Sequence, residues 1–328
     1  MSMYLDSSCC VKTETGYTDF FNIVSGVQQG CILSPFFFLI LLDYVSKKSL
    51  DDQLYGISWK DSKLSDLDFA DDLAVLADTC ANMQSATNSL VELAKKVGLR
   101  VNTDKTQIRK VACDDDGGIS IDGIQLKEVE RFTYLGSVLT NNGDSEADIK
   151  SRIGKGAAVF SKLENVWKSR RISTKTKLRL FQAIVISTTL YAADTWKSTT
   201  KSDHQLNVFQ QRCLRRILDV KWEDRITNDE ILRIANTQKL SDVIKARIVQ
   251  LTGHVLRMTD DIPAKHALNW VPPGGKRRRG RPKKTWRQTV MQDLRDVGTN
   301  WYQAPTLAKD KTKWRKLMAR CRQAGGTR

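Results

Sequence analysis

The sequence has no apolar run longer than Phe36–Leu42. That is far short of the roughly 20 apolar residues a helix needs to cross a bilayer. No membrane span is expected, and the run is a core helix candidate. The opening residues Met1-Ser2-Met3-Tyr4-Leu5-Asp6 lack both a basic stretch and an apolar one, so no signal peptide is expected. No CxxC pair occurs among Cys9, Cys10, Cys31, Cys80, Cys113, Cys213 and Cys321, and the three histidines lie far from them. Zinc knuckles and disulfide frameworks both need tighter spacing. The cysteines therefore read as reduced thiols of a nuclear or cytoplasmic protein, with the adjacent pair Cys9-Cys10 the one place where a ligand could sit. Internal repeats are absent, and acids are scarce near the end of the chain.

Basic residues are abundant there instead. Lys276–Arg328 carries 17 Lys+Arg and 3 Asp+Glu, leaving 36 against 34 in the residues before it. The net charge of +16 is thus a C-terminal feature on a near-neutral body. A concentrated positive field calls for a polyanionic partner, a nucleic acid or an acidic membrane surface. The 41% hydrophobic fraction is ordinary for a globular protein, and a length of 328 residues suggests two domains, with one or three also possible.

Apolar periodicity divides the chain. Ser34-Pro35 supplies an N-cap and a first-turn proline for a helix through Leu42 to about Lys47. Apolar residues flank Asp71-Asp72 in a hairpin pattern over residues 67–77. Met83, Ala86, Leu90, Leu93 and Val97 mark a helix over 81–97, with Gly98 as its C-cap. Short strands fit 105–111, 119–121 and 124–126, turning at Asp122-Gly123, and another strand fits 131–137. From about residue 144 to 260 the spacing becomes helical, with stripes at Ile149–Trp167, Leu178–Thr188, Leu206–Ile217 and Leu240–Val255. Pro272-Pro273-Gly274-Gly275 reads as a linker. Two short helices bearing Trp286, Trp301 and Trp314 come next; their spacing favours core packing over base stacking. His254 reads as a packed helix residue. The fold class is α+β up to residue 140, then all-α.

The chemistry lies first in Phe69-Ala70-Asp71-Asp72. Two adjacent carboxylates at a hairpin tip repel unless a cation intervenes. Oxygen-only ligands suit Mg²⁺. Apolar strands on both sides would hold the acids rigidly. A solvated acidic turn is the plainer alternative, and commoner for an arbitrary Asp-Asp.

This stretch resembles the active-site motif of the reverse transcriptases of LINE-like (non-LTR) retrotransposons. Gly26-Val27-Gln28-Gln29-Gly30-Cys31-Ile32-Leu33-Ser34-Pro35 resembles the preceding motif of that family. Gly98-Leu99-Arg100-Val101-Asn102-Thr103-Asp104-Lys105 resembles the following one. Phe132-Thr133-Tyr134-Leu135-Gly136-Ser137 is similar to the primer-grip strand. The segments 190–196, 211–218, 253–258 and 279–286 are similar to C-terminal parts of RTE- or CR1-type elements. The resemblance implies RNA-directed DNA polymerase activity on an RNA template and a DNA primer. It implies Asp71 and Asp72 as ligands of a two-ion Mg²⁺ site, and Lys105 as proton donor to pyrophosphate. It places Gln29, Gly30, Phe69 and Ala70 at nucleotide or template, and Tyr134, Leu135 and Gly136 at the primer end. Without the resemblance, Lys105 is a surface lysine and 131–137 an edge strand.

The architecture it implies is a partial palm over 1–140, an antiparallel sheet with helices, then a helical thumb or connector over 141–270 and a basic nucleic-acid-binding region over 271–328. The family's upstream metal-binding aspartate has no counterpart, since Asp6 and Asp19 lack its apolar setting, and the fingers are absent. The two-ion site is therefore expected to be incomplete, and the chain alone is not expected to extend a primer. A truncated gene model or decayed copy would give this pattern. The competing reading is an inactive nucleic-acid-binding remnant.

In the basic run, Arg277, Arg278, Arg279, Gly280, Arg281, Pro282, Lys283 and Lys284 admit three uses. It could be a general nucleic-acid arm, a nuclear-targeting signal, or an Arg-Gly-Arg hook in the minor groove of A·T-rich DNA. The sequence does not fix an oligomeric state.

Overall fold

The computed structural model describes residues 7–23, 26–27, 30–50, 55–59, 62–111, 117–140, 143–270 and 284–323. The chain divides into two compact units, Met1–Ile108 with Cys113–Glu128, and Arg109–Ala112 with Val129–Arg328. The division falls before residue 140, and residues 284–323 join the second unit. Among the described residues no helix is long and apolar enough to cross a membrane.

The strands of the first unit are short and pair in twos. β1 (Ser8–Cys9) joins β4 (Phe21–Asn22), and β2 (Lys12–Thr13) joins β3 (Gly16–Tyr17). β5 (Ile57–Trp59) joins β6 (Ser62–Leu64), and β7 (Asp66–Phe69) joins β8 (Asp72–Val75). β9 (Gln107–Ile108) runs parallel to β12 (Lys127–Glu128). Between these, β10 (Ser120–Ile121) and β11 (Ile124–Gln125) form a hairpin. Its turn, Asp122-Gly123, has φ of 52° and 80°, both positive as a type I′ turn demands.

Two helices support these strands. α1 (Ser34–Ser49) begins after Leu33, whose φ/ψ of −82°/−22° is already helical. Ser34 is consequently a first-turn residue instead of the expected cap, with Pro35 beside it. α2 (Cys80–Lys96) starts at Thr79, whose side chain accepts from Asn82 N, and stops before Gly98 at φ 81°. Val45, Leu90 and Ala94 form a small core against Leu73 and Val75 of β8. The expected core helix is buried on one face only. Leu42 and Val45 turn inward, while Phe36, Leu39, Ile40 and Tyr44 are each about half exposed.

The second unit opens with β13 (Arg131–Tyr134) and β14 (Ser137–Thr140), a hairpin where one strand was expected. Leu135 and Gly136 have φ of 47° and 80°, so the chain reverses at a type I′ turn. Helices α3 (Glu146–Lys162) and α4 (Glu164–Lys168) follow. Next, α5 (Thr174–Leu180) passes through a π-helical turn, Phe181–Ile186, into α6 (Ser187–Thr189). After them come α7 (Thr200–Leu218), α8 (Asn228–Ile234), α9 (Leu240–Leu256) and α10 (Pro263–Ala267). Beyond the basic run lie α11 (Trp286–Asp296), α12 (Ala304–Lys309) and α13 (Lys311–Gln323), three helices where two were expected. Trp301 sits in the turn between α11 and α12. One large core binds this unit, including Ile149, Leu206, Leu214, Ile231, Ile248 and Leu294. Trp314 belongs to it, as its helical spacing predicts. His254 is exposed on α9, because the buried stripe of that helix runs through Ile248, Val249, Thr252 and Val255.

Two glycines set how closely helices approach. A Cβ on Gly156 would lie 2.1 Å from Thr189 Oγ1, and one on Gly253 would lie 2.0 Å from Trp314 Nε1. That indole nitrogen donates to Val249 O at 3.1 Å. Overpacking of this kind costs about 1–3 kcal/mol. Gly253→Ala is expected to lower stability by at least that much in urea denaturation, whereas His254→Ala, on the exposed side of the same helix, leaves it within about 0.5 kcal/mol.

A buried group of acids lies in the same unit. Asp293 on α11 is 4% exposed, and its Oδ2 has no hydrogen-bond partner among the described residues. Burial pushes its carboxyl up to about 7, against the pull of Lys245 and Lys284. Burial raises Asp203 and Asp242 as well, although Ser198 Oγ donates to Asp203 at 2.6 Å. A carboxyl whose folded pKa exceeds its unfolded one favours the folded state most fully at low pH. Stability should therefore fall as pH rises from about 4 towards 7, by a few kcal/mol at most. Asp293→Asn should flatten that slope, as melting temperatures across this pH range will show.

Candidate active site

The β7–β8 hairpin brings the two sequence-predicted carboxylates to its tip. Phe69 pairs with Asp72 across the strands, so Ala70-Asp71 is a two-residue loop. Asp71 lies in the turn and Asp72 begins the return strand; both are exposed. Strand alternation places Asp72 on one face with Leu67 and Phe69, which are 45% and 61% exposed. Asp66, Asp68, Leu73 and Val75 share the other face, where Leu73 and Val75 meet the core of α1 and α2.

Ala70 holds φ at 55°, in the left-handed region that favours glycine. A Cβ in this conformation costs about 1–2 kcal/mol, and the alanine methyl is the smallest that incurs it. Leu67 and Ala74 on one face, with the buried contacts of Leu73 and Val75 on the other, hold the strands that impose this turn.

Asp68 behind the tip was not singled out from the sequence. Its carboxylate accepts from Ser46 Oγ of α1 at 2.9 Å, which ties the hairpin to the helix. Burial raises its carboxyl to about 6, with Asp66 and Asp43 pushing the same way and Ser46 opposing. Ser65 Oγ donates to Asp66 Oδ1 at 2.5 Å. The sequence signal for this second pair was the acid at every other position, 66 and 68, on a strand otherwise apolar.

Divalent metal ions serve reverse transcriptases generally. Two exposed carboxylates fit a hard divalent cation, and Mg²⁺ commonly takes one or two carboxylates with water and phosphate completing its shell. Among the described residues no group of three or more His, Cys, Asp or Glu could hold a metal ion.

Other expected site residues fall elsewhere in the chain. Gly30 is exposed at φ 88°, with nothing within 4 Å of where a Cβ would stand; conformation, not room, calls for glycine there. Gln29 lies outside the described residues. Lys105 is exposed at the end of a turn built on Asn102, whose side chain accepts from Lys105 N at 3.1 Å and whose carbonyl accepts from Thr106 Oγ1 at 2.7 Å. In the basic run only Lys284 is described, and it is exposed.

Tyr134, Leu135 and Gly136 belong to the second unit, where a buried network braces their hairpin. Asp148 on α3, 3% exposed, accepts from Val138 N at 2.9 Å and from Trp196 Nε1 at 2.7 Å. Arg152, 6% exposed, lies 3.9 Å from the same carboxylate and donates to Gly136 O. Its guanidinium stands 4.3 Å over the Tyr191 ring. The motifs around 136 and 191–196, distant in sequence, therefore meet on one helix.

Residues 2–139 match the sequence profile of the reverse transcriptase (RNA-dependent DNA polymerase) family. A transposon-derived protein of Caenorhabditis elegans is 24% identical over 271 residues, covering 78% of this chain and 96% of its own length. That alignment is longer than the 2–139 match, so the likeness continues into the helical unit.

The turn makes a direct prediction. Ala70→Gly should keep or raise stability by up to about 1 kcal/mol, since left-handed strain is relieved against a modest entropy loss. Ala70→Val should lower it by about 2 kcal/mol or more. Denaturation followed at the first unit's far-ultraviolet signal distinguishes them.

Proposed function

We propose that this chain is the polymerase part of a non-LTR retrotransposon reverse transcriptase of the RTE or CR1 type, with Asp71 and Asp72 as its Mg²⁺ ligands. The observation that carries the reading is the pair itself: two open carboxylates at the tip of a hairpin whose reverse face is anchored in α1 and α2. In nucleotidyl transfer, the primer 3′-oxygen bonds to the α-phosphorus of the incoming nucleotide and the bond to pyrophosphate breaks. Divalent ions held by Asp71 and Asp72 would supply a lowered pKa for that hydroxyl and neutralisation of the departing charge. Asp71 and Asp72 would position that charge; Gln29, Gly30, Phe69 and Ala70 would lie against nucleotide or template. Lys105 would give a proton to the pyrophosphate oxygen. Tyr134, Leu135 and Gly136 would hold the primer end, on a hairpin fixed by Asp148 and Arg152.

On this reading residues 1–140 act as palm, 141–270 as thumb or connector, and 271–328 as a nucleic-acid-binding region. Arg277–Lys284 would hold nucleic acid by phosphate contacts, A·T-rich DNA being one candidate, or direct the chain to the nucleus. The second reading, a binding remnant without synthesis, is favoured by the same tip: no third acid gathers there among the described residues.

Two measurements test these. Mn²⁺, a paramagnetic substitute for Mg²⁺, should bind the wild-type chain and be lost in the Asp71→Asn/Asp72→Asn double variant; equal binding by both proteins would remove the metal-site reading. In primer extension on an RNA template, the chain alone is expected to retain template in a salt-dependent way without incorporating nucleotides. Robust incorporation abolished by Asp71→Ala would establish an autonomous polymerase instead.

A further inference from the structure

A concavity of the second unit has none of the residues named for metal, template or primer in its lining. It encloses about 640 Å³ between the turn after α11, α12 and α13, and its lining includes Thr299, Tyr302, Gln303, Lys313, Lys316 and Arg320. Lys313, Lys316 and Arg320 fall at i, i+3 and i+7 of α13, which puts them on one face of the helix. No Asp or Glu lines the space among the described residues. Asp310 pairs with Lys313 at 3.6 Å, but none of the described ion pairs involves Lys316 or Arg320. Tyr302 stands at the mouth, 88% exposed, an unusual position for a ring of this size. Thr299 Oγ1 donates to Gln303 Oε1 at 3.4 Å, and both residues line the space.

We propose that this concavity is a binding site for unpaired nucleic acid, with a base stacked on Tyr302 and the adjoining phosphates held by Lys316 and Arg320. The three ingredients are those a single strand needs. A ring without a packing partner offers its face to any base. Cations on one helix face track a backbone. Thr299 and Gln303 supply neutral donors and acceptors for a base edge or sugar. A duplex would use the cations, but its bases are stacked within the helix and give Tyr302 nothing to cover. The site is held by the second unit's own core, because α13 also carries the buried Trp314 and Cys321, and the buried Leu317 itself lines the space. It rests on the polyanion chemistry of these residues and does not depend on Asp71 and Asp72 being a polymerase centre.

The test uses the full chain and a fluorescein-labelled 12-residue single-stranded DNA or RNA, with the matching duplex as comparison, followed by anisotropy across a salt series. Tyr302→Ala should weaken single-strand binding on the order of tenfold and leave duplex binding unchanged, while Tyr302→Phe keeps the wild-type affinity. Lys316→Ala/Arg320→Ala should lower the slope of log affinity against log salt by roughly 1.4, about 0.7 for each phosphate no longer neutralised. All three positions are at the surface, and unchanged circular dichroism will confirm intact folding. If Tyr302→Ala binds the single strand as tightly as wild type, or weakens duplex and single strand alike, stacking is refuted and the site is overturned. An unchanged salt slope in the double variant overturns it equally. The polymerase reading stands or falls on Mn²⁺ binding and primer extension at the other unit, so the two failures are separable.

Discussion

One buried carboxylate organises the entrance to the helical unit. Asp148 has almost no access to water and must satisfy its charge inside the protein, because an unpaired ion there would cost several kcal/mol. It does so by accepting from the backbone of β14 and the indole of Trp196, with Arg152 alongside. These partners come from a hairpin, a helix and the segment after α6, so none can move without uncovering the charge. The left-handed turn at Leu135-Gly136, the position of Tyr191 and the seating of Trp196 are all tied to it. The first unit uses a lighter version of the same device: Asp68 reaches Ser46 from the back of the β7–β8 hairpin, and the tip in front of it is held by strand pairing.

The two units differ in how they gain stability. The helical one has a single continuous core, closed by glycines that let Trp314 and Thr189 approach neighbouring helices. Among its described residues the other has two small cores and paired strands of two to four residues, and Phe36, Leu39, Ile40 and Tyr44 on one side of α1 are about half exposed. A unit of that kind relies on few buried contacts, and its hairpins should open more readily than the helices of its neighbour.

Periodic stripes were legible in the sequence because burial of one helix face needs an apolar residue every three or four positions. That is why α2, α3, α7 and α9 were readable, as was the Asp122-Gly123 turn, where dipeptide chemistry dictates the geometry. The β7–β8 hairpin and its acids were readable for a similar reason. The division of residues 131–140 into two strands was missed: Leu135 in a left-handed conformation is not a turn signal by itself, and Gly136 alone looks like a strand end. Helix α8 buries only Ile231 and Leu232, too few to show a period. The network at Asp148 could not be read at all, since an acid within an amphipathic helix looks like a surface residue until partners 10 and 48 positions away are folded against it. Asp68 was hidden differently: it stands beside a more conspicuous pair.

The docking of the last helices onto α9 changes the meaning of the basic run. Trp314 seated on Gly253 and Trp286 bonded to the Asp194 carbonyl fix the chain on the C-terminal side of the run. On its N-terminal side, α10 and the buried Leu268 do the same. The described residues on both sides of the run are thus anchored in the helical unit. On the proposed function, a polyanion captured by a segment anchored at both flanks would be held at a higher local concentration than one captured by an arm anchored at one.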